Sequence, residues 1–442
     1  MPEFSDLVIQ DWIDYDKCSL YDLSHKYYAT RACDSFVNNE NTVVLPNLIT
    51  SNYVHAYTLA NLLKANLELI PENKKLKVLE FGSGSGLFAR NFLLAAEELG
   101  YLDRLTFIVT DISELFLEQM HSRAVFQGFT LAKHYELVKL DLLDLDSATT
   151  LNGEKFILED LDLVVSNYVL NAVPMIPLRY SDAEPSVYER LQLKISSSLN
   201  PESVDLAREL DFFSTLKIEE RWVKYSLEEA SDTEKKYFPL FKAHLDKLPA
   251  AQAGRFSYKA LEIIEELNSR LSEYGMFYLV DISSLGPNAL KYYSFYTNAL
   301  ANLLSEGLLT DLAKSLNMQV LRQQDINVFR VLFYKNTGVF PPLNKIFNQD
   351  FVFKNKIALF KKISDLLKTV NDPDLLDVYK LLLDKFLKLD DKSVSALNFQ
   401  GDYYYLLGDS KRALDFYLKA KEIDFCKHHP DLDSKIAAIS YP

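Results

Sequence analysis

The central part of the chain alternates short apolar runs with longer amphipathic stretches. Four apolar runs have the length of a β-strand and lie at residues 78–81, 105–110, 135–138 and 161–166. Between them, apolar residues recur every three or four positions, which predicts helices over about 87–99 and about 113–126. Strands that alternate with helices form parallel sheets, so the pattern predicts a doubly wound, Rossmann-like α/β fold.

The later part of this pattern predicts how the sheet ends. An apolar run resumes at 276–282, a long helix is expected around 297–316, and two further runs occupy 319–322 and 328–334. The short polar segment between the last two runs is typical of a hairpin, which would place one antiparallel strand at the sheet edge. We therefore expect a seven-stranded, mostly parallel sheet with a terminal antiparallel hairpin.

Three segments lack the alternation and are predicted to be helical. Residues 1–70 are expected to form an N-terminal helical cap, and about 175–270 a charged helical insertion within an α/β domain that spans 71–340. The region 345–442, beyond Pro341 and Pro342, is predicted to be wholly helical.

Part of the C-terminal region has the spacing of one tetratricopeptide unit. The residues with this spacing are Gly401, Tyr404, Gly408, Ala413, Tyr417 and Ala420. A stable solenoid needs about three units, and the preceding segment lacks the consensus residues. A tetratricopeptide-like region and a plain helical hairpin that packs on the catalytic domain are both open at this point.

Charge and composition narrow the range of partners. The net charge is −14, from 62 acidic and 48 basic side chains, which disfavours nucleic acid as a partner. The three cysteines are widely spaced and lack a metal-ligand pattern, so we expect reduced thiols and no metal site. The N-terminal residues do not resemble a signal peptide and no run has membrane length, so we expect a cytoplasmic protein without a membrane partner. The oligomeric state stays open.

The first apolar run leads into a glycine-rich loop. Gly82, Gly84 and Gly86 alternate with serines before the next helix, a pattern that turns the chain tightly and lets a ligand approach bare backbone. With Glu80 two residues before the first glycine, the loop resembles motif I of class I methyltransferases. The resemblance implies S-adenosyl-L-methionine as cofactor and S-adenosyl-L-homocysteine as product. The glycines would then flank the methionine part, and Glu80 would lie beneath the loop.

A dinucleotide-binding oxidoreductase is the competing interpretation of this loop. Gly84, Gly86 and Ala89 satisfy the relaxed G-x-G-x-x-A fingerprint of that class. The position of Glu80 and the predicted terminal hairpin favour the methyltransferase. A purely structural glycine turn is the remaining alternative.

Acidic residues follow the next two strands. Asp111 ends the second strand, where an acid can bind both hydroxyls of a ribose, or it caps the following helix in competition with Ser113. After the third strand, Asp141, or alternatively Asp144, is expected near the adenine amino group. The predicted cofactor-binding residues are Glu80, Gly82, Ser83, Gly84, Gly86, Asp111, Ile112, Asp141, Leu142 and Asn167.

The end of the fourth strand faces the transferred methyl group in class I methyltransferases. Asn167 and Tyr168 are therefore the predicted acceptor-positioning residues. The Asn/Asp-Pro-Pro-aromatic signature of enzymes that methylate nucleic acids or glutamine amides does not occur here, which argues against those substrates. A lid over the cofactor is expected from Tyr27, Tyr28 and Arg31. Candidate general bases are His25, His55, His121, His134 and His244.

Several segments together are similar to the MidA family, which is associated with mitochondrial complex I assembly and arginine methylation. The similarity covers roughly residues 45–335 and includes the glycine loop, the helix at 112–123, residues 171–174 and the strand at 278–281. Where that family has Glu and Asp, this chain has Tyr168 and Asn171. Two carboxylates that could neutralise a guanidinium are thus replaced, which argues against arginine as the acceptor.

The sequence therefore predicts an S-adenosylmethionine-dependent methyltransferase. A protein or peptide acceptor is favoured, because the predicted insertion at about 175–270 and the helical region 345–442, the helical tail, both offer surface for a polypeptide. A small-molecule acceptor is the first alternative. The second is a non-catalytic assembly or scaffold protein that retains the fold.

Overall fold

A computed structural model provides the fold. It describes residues 7–31, 52–200, 212–248, 253–282, 293–296, 299–324, 328–335, 343–348, 353–368, 373–424, 429 and 431–440. The chain forms two compact units. The first unit comprises Met1–Arg31, Lys77–Gly82 and Val138–Val339, and the second comprises Ala32–Leu76, Ser83–Leu137 and Phe340–Pro442.

The described residues contain fifteen strands and thirteen α-helices. The strands are β1 (Leu7–Asp14), β2 (Leu76–Phe81), β3 (Leu105–Asp111), β4 (Tyr135–Asp141), β5 (Asp144–Thr150), β6 (Leu161–Asn167), β7 (Ile176–Tyr180), β8 (Tyr188–Ser197), β9 (Leu216–Tyr225), β10 (Gly254–Phe256), β11 (Leu271–Ile282), β12 (Tyr293–Tyr296), β13 (Ala299–Asn302), β14 (Met318–Gln324) and β15 (Val328–Lys335). The helices are α1 (Ser19–Thr30), α2 (Tyr53–Asn66), α3 (Leu87–Glu98), α4 (Glu114–Ser122), α5 (Asp232–Leu245), α6 (Tyr258–Arg270), α7 (Glu306–Ser315), α8 (Leu343–Phe347), α9 (Phe353–Leu367), α10 (Pro373–Leu387), α11 (Val394–Leu406), α12 (Ser410–Ile423) and α13 (Asp431–Ser440).

The large sheet confirms the mixed α/β prediction. Its strand order is β14-β15-β11-β6-β2-β3-β4-β5, so the described residues contribute eight strands instead of the expected seven. Strand β6 lies parallel to both β2 and β11, while β15 runs antiparallel to β11 and to β14. The terminal antiparallel hairpin is thus confirmed.

Three details of the large sheet differ from the prediction. The additional strand, β5, pairs antiparallel with β4. Only Leu145 and Ala148 of β5 are buried, and so few apolar residues do not predict a strand. The edge strand of the hairpin is β14, because β15 inserts between β14 and β11. The long helix expected around 297–316 is confined to α7, and the strand β13 precedes it.

The predicted helical insertion at 175–270 is wrong in its secondary structure. It contains strands β7 to β10 as well as helices α5 and α6, and these strands join β1 in a second, antiparallel sheet in which β8 pairs with β1, β7 and β9. In β8 the buried residues Leu191, Leu193 and Ile195 alternate with more exposed ones, which is the period of a strand. The charged residues between them suggested a helix, whereas they occupy the other face of the strand.

The N-terminal segment is likewise not purely helical, because it begins with the strand β1. The helix α1 that follows is held by buried polar contacts. Tyr15 and Tyr21 donate hydrogen bonds to Oδ1 of Asn302 over 2.6 and 3.2 Å, and the Leu300 N–H donates to Oγ of Ser24 over 2.8 Å. Asn302 in turn donates to the carbonyl of Val173 over 2.7 Å, in the segment that follows β6. Helix α1 is therefore fixed within the first unit.

Asp16, just before α1, is buried at an energetic cost. Its Oδ2 accepts a hydrogen bond of 3.1 Å from Tyr258, while Oδ1 is buried without a hydrogen-bond partner among the described residues. Burial raises the pKa of Asp16 to about 6, against the opposing effect of the Tyr258 hydrogen bond. A folded-state pKa above the unfolded value means that the carboxyl contributes stability at low pH, which is lost as pH rises through about 6.

We expect Asp16→Asn to stabilise the protein near neutral pH. The amide cannot ionise and keeps an acceptor for Tyr258, so the variant should gain roughly 2 to 3 kcal/mol of unfolding free energy at pH 7 and little at pH 4. Denaturant unfolding across this pH range measures the difference. Asp22→Asn, an exposed change on α1, is the control. A gain for Asp16→Asn that does not vary with pH would contradict the assignment.

The described part of the C-terminal region is helical. In the hairpin of α11 and α12, a Cβ atom on Gly401 would lie 2.4 Å from the ring of Tyr417, so the close packing of the two helices requires glycine there. The rings of Tyr404 and Phe416 stack with centroids 5.4 Å apart. Identity as a tetratricopeptide unit stays a prediction, as do the domain boundaries at 70, 340 and 345.

The helical tail belongs to the same compact unit as α2 and α3. Lys392, in the turn before α11, lies 3.4 Å from the carboxylate of Glu98 on α3, and its ammonium lies 3.7 Å from the ring centre of Tyr53 on α2. These contacts favour the interpretation that the tail packs on α2 and α3. Within the described residues, no helix is both long enough and apolar enough to cross a membrane.

Candidate functional site

The glycine loop follows β2 and leads into α3. Gly82, Gly84 and Gly86 all have left-handed backbone conformations, with φ of 58°, 52° and 74°. Residues other than glycine rarely adopt such φ values, so the conformation of the turn requires glycine at these three positions. At Gly86 an added Cβ would also lie 2.9 Å from Sδ of Met120, so this glycine serves packing as well as the turn.

Asp111 holds this loop in place. The Gly84 N–H donates to Oδ2 of Asp111 over 3.0 Å, and the Ser113 N–H donates to Oδ1 over 2.9 Å. Oγ of Ser113 accepts a hydrogen bond from the Phe116 N–H, so Ser113 caps α4 and Asp111 does not. The two oxygens of the Asp111 carboxylate therefore brace the glycine loop and the residue that caps α4.

The end of β6 forms the other predicted part of the site. Both side-chain polar atoms of Asn167 are buried and lack a hydrogen-bond partner within the described part of the chain. Tyr168 has a φ of 58°, an unusual value for a large side chain, and its N–H donates to the carbonyl of Val280 over 2.9 Å. A Cβ on Gly82 would lie 3.0 Å from the Val169 side chain, so the turn after β6 packs against the start of the glycine loop.

A buried carboxyl group that the sequence did not predict lies beside this turn. Asp281 is fully buried in β11, one residue beyond Val280, which pairs with Asn167. Its oxygens accept hydrogen bonds from the N–H groups of Ile282 (2.7 Å) and Asn171 (3.1 Å). Burial outweighs these bonds and raises the pKa of Asp281 to about 8. Asp281 therefore orders the turn after β6.

Asp141 lies at the end of β4, as predicted, and is engaged by α1. Its Oδ1 accepts a hydrogen bond of 2.9 Å from the Leu143 N–H, and its Oδ2 lies 3.0 Å from Nε2 of His25. Leu142 is half-buried beside it. The alternative, Asp144, is exposed and accepts a hydrogen bond from Asp146 N–H at the start of β5.

The predicted site residues fall into groups within each unit. Ser83, Gly84, Gly86, Asp111 and Ile112 lie together in the second unit, where the Ser83 N–H also donates to the carbonyl of Thr110 over 2.7 Å. In the first unit, the structure groups Gly82 with the turn that follows Asn167 and Tyr168, and Glu80 is buried where β2 pairs with Val165 of β6.

The predicted lid residues lie at the end of α1. Tyr27 is buried, and the guanidinium of Arg31 lies 5.1 Å from the centre of the Tyr27 ring and 6.0 Å from that of Tyr28. A lid role for this group stays a prediction. Among the described residues, no cluster of three or more His, Cys, Asp or Glu side chains is arranged to hold a metal ion.

Comparison with known proteins adds structural neighbours only. No protein-family model and no curated protein matches the chain. A Burkholderia thailandensis protein bound to S-adenosyl-homocysteine is 14% identical, with a TM-score of 0.47 over 86% of this chain and 84% of that one. A SAM-dependent methyltransferase from Aquifex aeolicus is 11% identical, with a TM-score of 0.28 over 62% and 88%. A 1,6-didemethyltoxoflavin-N1-methyltransferase from Burkholderia thailandensis is 12% identical, with a TM-score of 0.29 over 63% and 78%. At these values, likeness alone assigns neither a family nor a function.

Proposed function

We propose that this chain is a class I, S-adenosylmethionine-dependent methyltransferase. The observation that carries the proposal is the hydrogen bond between the Gly84 N–H and the carboxylate of Asp111. It joins a left-handed glycine turn to an acid at the end of the next strand. That acid does not cap the helix α4, because Ser113 does. A glycine turn and a strand-end acid are the two parts that a nucleoside cofactor needs from a doubly wound sheet.

The residues present suit the proposed cofactor. The left-handed turn carries no side chain at Gly84, and both polar atoms of the buried Asn167 amide lack a hydrogen-bond partner among the described residues. When bound, S-adenosylmethionine supplies a methyl group already activated by its sulfonium. The chain then has to hold the acceptor atom in line with the methyl group and the sulfur. The strained turn at Tyr168 is the proposed support for the acceptor, and hydrogen bonds to Val280 and Asp281 fix this turn.

We infer that a small-molecule acceptor suits this chain better than a polypeptide. The polypeptide prediction depended on a helical insertion and a repeat-like tail. The insertion is a second sheet with two helices, and the tail has contacts with Glu98 and Tyr53 that favour packing. A guanidinium acceptor is disfavoured as well, because Tyr168 and Asn171, in the turn after β6, carry no negative charge that could neutralise it. The buried amide of Asn167, which has no hydrogen-bond partner among the described residues, favours a ligand-binding protein over a scaffold that retains only the fold.

Asp111→Ala tests the proposed ribose contact. Loss of the charged acceptor should weaken binding of S-adenosyl-homocysteine by about 1 to 3 kcal/mol, measured by calorimetry. Ser113→Ala is the matched control, because it removes the helix cap and should cost about 1 kcal/mol of stability while affinity stays unchanged. If Asp111→Ala lost stability but bound the ligand normally, Asp111 would be a structural brace for the loop and not a ribose ligand.

A further inference from the structure

His25 lies on a helix whose position is fixed. It follows Ser24, which accepts the hydrogen bond from the Leu300 N–H, and the same helix carries the buried Tyr21, bonded to Asn302. These anchors determine where α1 presents its exposed face. His25 is therefore held at one place, although its own side chain is 48% exposed.

From this helix, His25 reaches a residue that lies 116 positions away in the sequence. Its Nε2 is 3.0 Å from Oδ2 of Asp141, and because a carboxylate only accepts hydrogen bonds, the imidazole donates. The Leu143 N–H donates to the other oxygen over 2.9 Å. Two donors on two oxygens fix the rotation of the Asp141 carboxylate about its last side-chain bond.

The held carboxylate keeps room for a ligand. The Asp141 side chain is 32% exposed, and each of its oxygens has a second lone pair. A carboxylate in this state accepts a hydrogen bond from an amino group and repels a carbonyl oxygen. It can thus distinguish an aminopurine from an oxopurine at the end of β4.

We propose that His25 is a positioning residue for cofactor recognition, which holds the Asp141 carboxylate in the orientation that accepts a hydrogen bond from the adenine amino group. This inference rests on the proposed function. His25 acts through Asp141 and serves neither as a lid residue nor as a general base in this assignment.

The test compares two ligands whose purines differ at position 6 and, in consequence, at N1, which carries a hydrogen only in the oxopurine. S-adenosyl-homocysteine carries an amino group where S-inosyl-homocysteine carries a carbonyl oxygen. Calorimetry with the full-length protein gives the affinity for each, and their ratio reports recognition of the amino group. We expect the unaltered protein to prefer the adenosyl ligand by about 10-fold or more, the scale of one hydrogen bond to a charged group.

Four variants separate positioning from structure. His25→Ala should lower the preference for the adenosyl ligand by about 3- to 10-fold, because the carboxylate can then rotate. His25→Gln retains a donor and should restore most of the preference. Asp141→Asn presents an amide and should shift the preference toward the inosyl ligand. Lys26→Ala, an exposed change on the same helix, should leave the ratio unaltered.

The outcomes distinguish this inference from the proposed function. If the unaltered protein fails to bind S-adenosyl-homocysteine, both are overturned. If it binds but does not distinguish the two ligands, or if His25→Ala leaves the ratio unchanged, the inference fails and the proposed function stands. Tighter binding of both ligands by His25→Ala would also overturn it, since the pair would then obstruct the site.

Discussion

Gly84→Val is expected to abolish binding of S-adenosyl-homocysteine. Gly84 has a φ of 52°, and its N–H is bonded to Asp111, so a β-branched residue would strain the turn and misplace that bond. The new side chain would also cover backbone that the ligand has to approach. We expect affinity to fall by about 100-fold or more, on the scale of several kcal/mol of lost contacts and strain. Calorimetry with the purified full-length variant measures it.

Gly100→Val is the control for backbone strain alone. Gly100 has a φ of 81° and open space around its missing side chain. The substitution should therefore cost stability through the same left-handed strain, about 1 to 2 kcal/mol, and leave ligand affinity unchanged. Equal affinity losses in the two variants would assign the effect to general destabilisation. Normal binding by Gly84→Val would refute the cofactor role of the loop.

Removal of the helical tail is expected to cost stability and cofactor binding together. A chain that ends at Pro342 lacks α8 to α13, including Lys392, and so exposes the surface of α2 and α3 that the tail contacts. The loss should be on the order of 5 kcal/mol or more, comparable with the total stability of a typical domain. Thermal unfolding by circular dichroism and calorimetry with S-adenosyl-homocysteine test both quantities in parallel.

A shorter truncation tests whether stability and cofactor affinity depend on the same part of the tail. A chain that ends at Asp424 keeps α11 and α12 and loses α13, whose Leu432 packs beside Tyr417 and whose Lys435 bonds to Asp402. It should lose part of the stability and keep cofactor affinity. If the chain ending at Pro342 instead stayed folded, bound the cofactor and lost methylation only of proteins in a cell lysate, the tail would recruit a polypeptide and the small-molecule proposal would be wrong.

Secondary structure was predictable where burial dominates the sequence pattern. The strands β2, β3 and β6 bury nearly every residue, so continuous apolar runs announce them. Strand β8 has one buried face, and its charged residues favour a helix in the sequence pattern, whereas the structure pairs it with β1, β7 and β9. Strand β5 buries few residues and exists because β4 supplies its hydrogen-bonding partner. Such strands depend on neighbours that no local window contains.

The glycine turn and the acids at the strand ends were predictable from the residues alone. Backbone geometry imposes both requirements locally, since only glycine adopts these φ values at low cost and an acid at a strand end is placed by its own strand. The contacts that those groups make depend on how the chain folds in three dimensions. Asp281 meets Asn171 across 110 residues and His25 meets Asp141 across 116, and these distances in sequence carry no periodic signal. From the sequence, Asp111 could either bind a ribose or cap the helix α4. In the structure Asp111 is not the cap, because Oγ of Ser113 accepts the hydrogen bond from the Phe116 N–H.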